Sequence, residues 1–172
     1  ANVALNRAKG HASGGAVLFE MDLLDELRAQ KDVAQELDLA FAEDQFAVHY
    51  QPIYCSDSRG ISSLEALVRW EHPERGIQSA GQFMDHIYRL GLSSKLDQFV
   101  LSRVIEDIEN AKANGIAMPK VAINVSAASL MDTDYLERVS GCELPESGLA
   151  LEISESVDFE SHIEFVTDRV AE

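Results

Sequence analysis

Glu65 and Arg69 stand four residues apart in Gly60-Ile61-Ser62-Ser63-Leu64-Glu65-Ala66-Leu67-Val68-Arg69-Trp70. With a period of two, Ile61, Ser63, Glu65, Leu67 and Arg69 share one side, and Ser62, Leu64, Ala66, Val68 and Trp70 share the other. The second side is a packing face. The first carries opposite charges within a strand that otherwise reads as buried, and charges are seldom buried unless paired or bound to metal or ligand.

Three other segments repeat the pattern. Phe46, Val48 and Tyr50 oppose Ala47, His49 and Gln51; Val121, Ile123 and Val125 oppose Ala122, Asn124 and Ser126; Leu149, Leu151 and Ile153 oppose Ala150, Glu152 and Ser154. If the greasy faces pack on helices in a parallel barrel, Gln51, Glu65, Asn124 and Glu152 come toward one end of a shared lumen. Two carboxylates and an amide oxygen suit a hard cation such as Mg²⁺ or Mn²⁺. Each residue also has a plainer reading. Glu65 and Arg69 could pair across a strand edge, Asn124 could satisfy neighbouring backbone, and Glu152 or Glu155 could be a solvated strand-end acid. Coincidence on several strands is harder to dismiss. His49, His72, His86 and His162 have no metal-ligand spacing and read as surface or core histidines.

The elements that must hold these residues follow from punctuation. Asn2 to Lys9 has helical spacing, Gly10 and Gly14-Gly15 interrupt it, and Ala16-Val17-Leu18-Phe19 reads as a short strand. Asp22 to about Glu43 has no Pro or Gly and a near-heptad spacing of Leu23, Leu27, Ala34, Leu37 and Phe41, which predicts a helix, lying on its own domain or pairing as a signalling helix. Pro52 is expected to end the first strand. The second strand stops near His72-Pro73, and helices follow at Phe83 to Leu90 and Lys95 to Ala113, with a further one near Ser129 to Ser140. Strand and helix alternating at this spacing predict parallel βα units.

Length and charge narrow the class. At 172 residues the chain is expected to be one domain with a core, and it has no apolar run long enough to span a bilayer. The net charge of −16 argues against a duplex nucleic-acid surface. Cys55 and Cys142 are too few for a disulfide framework, and no secretory signal precedes the first helix, so a reducing cytoplasm is expected, for this chain or for the cytoplasmic part of a larger signalling protein.

Glu65-Ala66-Leu67-Val68-Arg69-Trp70 resembles the signature of the EAL-domain family, cyclic di-GMP phosphodiesterases with a modified (βα)8 barrel. Tyr50-Gln51-Pro52-Ile53, His72-Pro73-Glu74-Arg75-Gly76, Leu96-Asp97, Ile123-Asn124-Val125-Ser126 and Glu152-Ile153-Ser154-Glu155-Ser156 extend the match over most of residues 44 to 160. The resemblance implies that Glu65, Asn124 and Glu152 ligate catalytic metals and that Arg69 holds a phosphate, with Leu67 beside it. It also implies that Gln51 and Asp97 line the guanine sites, and that Glu155 steadies a later loop. Residues 1 to 20, with Ala4-Leu5-Asn6-Arg7-Ala8-Lys9, Gly10 and Val17-Leu18-Phe19, resemble the C-terminal tail of a GGDEF domain. The expected organisation is therefore that tail at 1–20, a linker helix at 21–43, and the N-terminal part of an EAL domain at 44–172.

The chain departs from the family pattern at Ala80, where Pro is usual, and at Asp85-His86-Ile87-Tyr88, where Pro-Leu-Ala-Glu is usual. The family's paired aspartates, catalytic lysine, general base and final strands are expected downstream of Glu172. The fold expected is an incomplete α/β TIM-like barrel whose open edges pair with another copy, as a homodimer or swapped oligomer. Residues 1 to 172 alone are expected to be inactive. For the parent, the alternatives are hydrolysis of cyclic di-GMP, a non-catalytic cyclic di-GMP receptor, and a dimerisation scaffold.

Overall fold

The computed structural model of the protein describes residues 21–55, 60–141 and 148–153. The chain divides into two compact units, Ala1–Ala42 and Glu43–Glu172. In the first, α1 (Met21–Ala42) is one unbroken helix, as its lack of Pro and Gly predicts. The helix and strand expected within residues 1–20 lie outside the described residues.

The second unit is built on a sheet of β1 (Phe46–Tyr54), β2 (Ile61–His72), β3 (Gly76–Ser79), β4 (Lys120–Val125) and β5 (Leu149–Ile153). The order is β1-β2-β4-β5, with β3 also on β2. β2 is long enough to take two partners on one side: Ser63 to Ala66 pair with β4, and Arg69 to His72 pair with β3. The β2–β4 and β4–β5 ladders are parallel, whereas β1 and β3 run antiparallel to β2. Parallel pairing throughout, expected from the strand and helix spacing, is thereby corrected. The short links from β1 to β2 and from β2 to β3 allow only hairpins, because a parallel pair needs a crossover of about a dozen residues. The fold is α/β, and among the described residues the sheet is not closed.

Two further expectations change. β1 continues through Pro52, which pairs with Leu64, to an irregularity between Ile53 and Tyr54. Among the described residues β1 is an edge strand, where a missing N–H is tolerated. The helix expected near Ser129 to Ser140 is two, α4 (Ala127–Leu130) and α5 (Thr133–Gly141). β3, with no strand signal beyond its turn glycine, was not anticipated.

Between β3 and β4 lie α2 (Met84–Leu90) and α3 (Ser93–Ala113). α2 stops where Gly91 takes φ 69°, a left-handed conformation that costs other residues more. On α3, Val100, Leu101, Val104 and Ile108 recur at helical spacing and pack against Ala66, Val121, Ile123 and Val125. Val48, Tyr50, Leu64, Val68, Leu149, Leu151 and Ile153 join this core, so the greasy faces assigned from alternation are the faces that meet the helices. Beyond the core, Phe46 contacts Trp70, Phe83 and Phe99 through tilted rings, and Arg75 lies 5.4 Å over Trp70. His72 closes the β2–β3 turn by accepting at Nδ1 from the amides of Glu74 and Arg75, a structural histidine as expected.

Candidate functional site

The face of the sheet opposite α3 carries the polar residues. Register sets their order: Gln51 stands opposite Glu65, Glu65 opposite Ala122, and Asn124 opposite Glu152. Residues opposite one another share a face, so Gln51, Glu65, Asn124 and Glu152 form a row across β1, β2, β4 and β5. The row closes with a direct contact, as Asn124 Nδ2 donates to Glu65 Oε1 at 3.1 Å across 59 residues of sequence. Glu65 is half-buried, while Gln51, Asn124 and Glu152 are exposed. The proposed Glu65–Arg69 pair does not form. Arg69, half-buried two positions past Leu67 on the same face, donates from Nη1 to the carbonyl of Val68 at 2.9 Å.

Glu65 and Glu152 offer carboxylate oxygens, and Asn124 offers an amide oxygen once its side chain turns. This all-oxygen donor set fits a hard divalent cation. Among the described residues no three His, Cys, Asp or Glu side chains converge on a metal position, so the set depends on Asn124.

Beside the row, a cavity of about 270 Å³ opens between the middle of β2, the C-terminal end of β4 and the helices α2 and α3. Leu67, Asp97, Asn124 and Ser126 line it together with Ala80, Met84 and Tyr88. Three expected site residues, Leu67, Asp97 and Asn124, thus line one cavity with Ala80 and Tyr88, where the chain departs from the family pattern. Glu155 lies outside the described residues.

Asp97 is 7% exposed and accepts three hydrogen bonds at Oδ2, from Ser126 N at 2.9 Å, Ser126 Oγ at 2.6 Å and Ser129 Oγ at 2.8 Å. Sequence reasoning missed this clamp. A hint was present in an acid among the apolar residues of an amphipathic helix, with Ser126 and Ser129 spaced as a cap after a strand. Tyr50 donates to Asp107 Oδ2 at 2.8 Å and ties β1 to α3. Burial, then the hydrogen bond to Asp107 and its charge, hold the Tyr50 hydroxyl well above its ordinary range. Tyr135, 1% exposed with no hydrogen-bond partner for its hydroxyl among the described residues, is raised by burial and then by the charge of Asp97.

The model of the EAL domain family matches residues 34–172. The chain belongs to the EAL domain family. Among curated EAL relatives, it is 31% identical over 150 residues to the cyclic di-GMP phosphodiesterase NbdA of Pseudomonas aeruginosa, covering 87% of this chain and 19% of that protein. It is 28% identical over 160 residues to the bifunctional diguanylate cyclase/cyclic di-GMP phosphodiesterase MucR of the same species, covering 91% of this chain and 23% of MucR. The chain therefore spans about a fifth of the length of these relatives. Among solved EAL structures, the PaMucR phosphodiesterase in complex with c-di-GMP superposes with a TM-score of 0.69 at 26% identity, over 81% of this chain and 60% of that one. The FimX EAL domain of Xanthomonas citri, in complex with c-diGMP, shares the fold with a TM-score of 0.71 at 20% identity, over 86% of this chain and 58% of its own. The open sheet matches part of the EAL fold, about three fifths of each of these structures, and no described helix is long and apolar enough to cross a membrane.

Proposed function

We propose that this chain is part of a cyclic di-GMP phosphodiesterase, which cleaves the cyclic dinucleotide to its linear form by two-metal hydrolysis in bacterial second-messenger signalling. The observation that carries this reading is the row of Glu65, Asn124 and Glu152 on neighbouring strands, with Asn124 in contact with Glu65. These three residues would hold the cations, Mg²⁺ or Mn²⁺, which would supply water activation and neutralisation of charge on the phosphoryl oxygens. Arg69 leaves the Val68 carbonyl to take a phosphate, to which its planar guanidinium is suited. Leu67 lies beside that phosphate, Gln51 and Asp97 line the guanine sites, and Glu155 steadies a later loop. Residues 1–20 end a GGDEF-like domain, α1 links it to the EAL domain, and the assembly works in the cytoplasm.

The test is cyclic di-GMP turnover by the complete protein with Mg²⁺ or Mn²⁺. Glu65→Ala is expected to abolish release of the linear dinucleotide, and unchanged turnover would sink the reading. Residues 1–172 alone are expected to be inactive and to associate through β1 and β5, the edges of the sheet among the described residues. Metal-dependent cleavage by this chain, or a stable monomer by light scattering at low concentration, counts against those two expectations.

A receptor that binds cyclic di-GMP without cleaving it is the second reading. It is favoured by Ala80 and the Asp85-to-Tyr88 segment, which depart from the usual family sequence and of which Ala80 and Tyr88 line the cavity. Binding to the complete protein with no turnover at any divalent-ion concentration would decide for it.

A further inference from the structure

Asn124 is weakly held for a residue asked to present an oxygen to a cation. Its side chain is exposed and makes one hydrogen bond among the described residues, to Glu65. The β2–β4 ladder ends one residue earlier, at Ala66 and Ile123, so at Asn124 β4 is paired only with β5. The other restraint comes from Asp97. Its Oδ2 takes the amide and the hydroxyl of Ser126, two residues past Asn124, and the hydroxyl of the fully buried Ser129. Val121 donates to Gly148 on the β5 side, so by alternation the Ser126 amide faces the β2 side, where the ladder has ended at Ile123 and Asp97 takes the place of a strand partner. Ser126 stays extended, at ψ 157°, and caps α4 by accepting from the Ser129 amide. Charge-assisted bonds to one buried oxygen make this a stiff joint.

We infer that Asp97 is a positioning residue for the cation site, fixing the end of β4 and thereby Asn124, in addition to any contact it makes with a nucleotide. The inference rests on the reading that Glu65, Asn124 and Glu152 bind a divalent cation. Groups that orient metal ligands without touching the metal are commonly worth about 10- to 100-fold in affinity. Asp97→Asn keeps the shape and removes the charge.

The experiment is titration of the complete protein with Mn²⁺ in the absence of nucleotide, followed by electron paramagnetic resonance of the free ion. Asp97→Asn is expected to weaken Mn²⁺ binding by roughly tenfold. At saturating metal, kcat is expected to fall, whatever rise in KM follows from the guanine contact that Asp97→Asn also alters. Ser126→Ala, which keeps the amide bond to Asp97, is expected to weaken binding about threefold, less than the full loss of an orienting partner; it carries the test if Asp97→Asn does not fold. Wild-type Mn²⁺ affinity with a raised KM would make Asp97 a nucleotide contact only and overturn the inference. A lowered Tm with unchanged Mn²⁺ affinity would reduce it to a fold-stabilising residue and overturn it equally. Wild-type protein that binds no Mn²⁺ would remove the reading of the site and this inference with it, whereas a wild type that binds and variants that match it would remove the inference alone.

Discussion

Ile123 is fully buried on the face of β4 that meets α3, while its neighbour Asn124 is exposed on the other face and touches Glu65. The same division runs along β2, where Ala66 is 3% exposed within the core and Glu65 and Leu67 lie on the polar side. One face gains its stability from apolar burial, which is non-directional and scales with the area removed from water. The other depends on the spacing of a few polar groups, so it contributes little to folding and is free to be specified by a ligand.

The contrast predicts separable damage. Ile123→Ala should lower the unfolding free energy of the complete protein by about 4 kcal/mol, through lost burial and the cavity left behind, read by urea denaturation. The folded fraction should keep its Mn²⁺ affinity. Glu65→Ala should do the reverse: turnover is abolished, because the cation that would neutralise developing charge loses a ligand, with the urea midpoint nearly unchanged. If Ile123→Ala weakens Mn²⁺ binding as much as Glu65→Ala does, the two faces are not independent.

A smaller effect probes the tie between β1 and α3. Tyr50→Phe removes its hydrogen bond to Asp107 and should cost about 1 kcal/mol. The hydroxyls of Tyr50 and Tyr135 are raised in the folded state above the ordinary value of about 10. The neutral forms are thus favoured by folding, and their contribution is complete below pH about 10 and lost as pH climbs beyond it. Denaturation midpoints should fall above that pH, and less steeply in Tyr50→Phe; identical alkaline profiles would remove Tyr50 from this account. The smallest effect is expected at the turn, where Arg75→Ala should cost about 0.5 kcal/mol from its place over Trp70, readable as a small fall in Tm.

Much of this division was legible before any coordinates. Period-two alternation separated Leu64, Ala66 and Val68 from Glu65, Leu67 and Arg69, because adjacent strand side chains must point to opposite faces. The same reasoning put Asn124 and Glu152 on the polar face, and helical spacing marked Val100, Val104 and Ile108. β3 escaped notice because its four residues are too few to show a period. Pro52 misled because a proline ends a ladder only where its N–H is needed, and an edge strand does not need it on the open side.

Local pattern, then, determined which residues share a face, where most elements begin and end, and which side chains could form a donor set, since those properties depend on neighbours in sequence. The tertiary structure alone decided register: that Asn124 meets Glu65 across 59 residues, that it lies beside Glu152, and that Asp97 on α3 holds the turn after β4. Those pairings follow from how strands slide into alignment while α3 covers their apolar face. A shift of one residue would keep every local propensity and move every polar group to the wrong side.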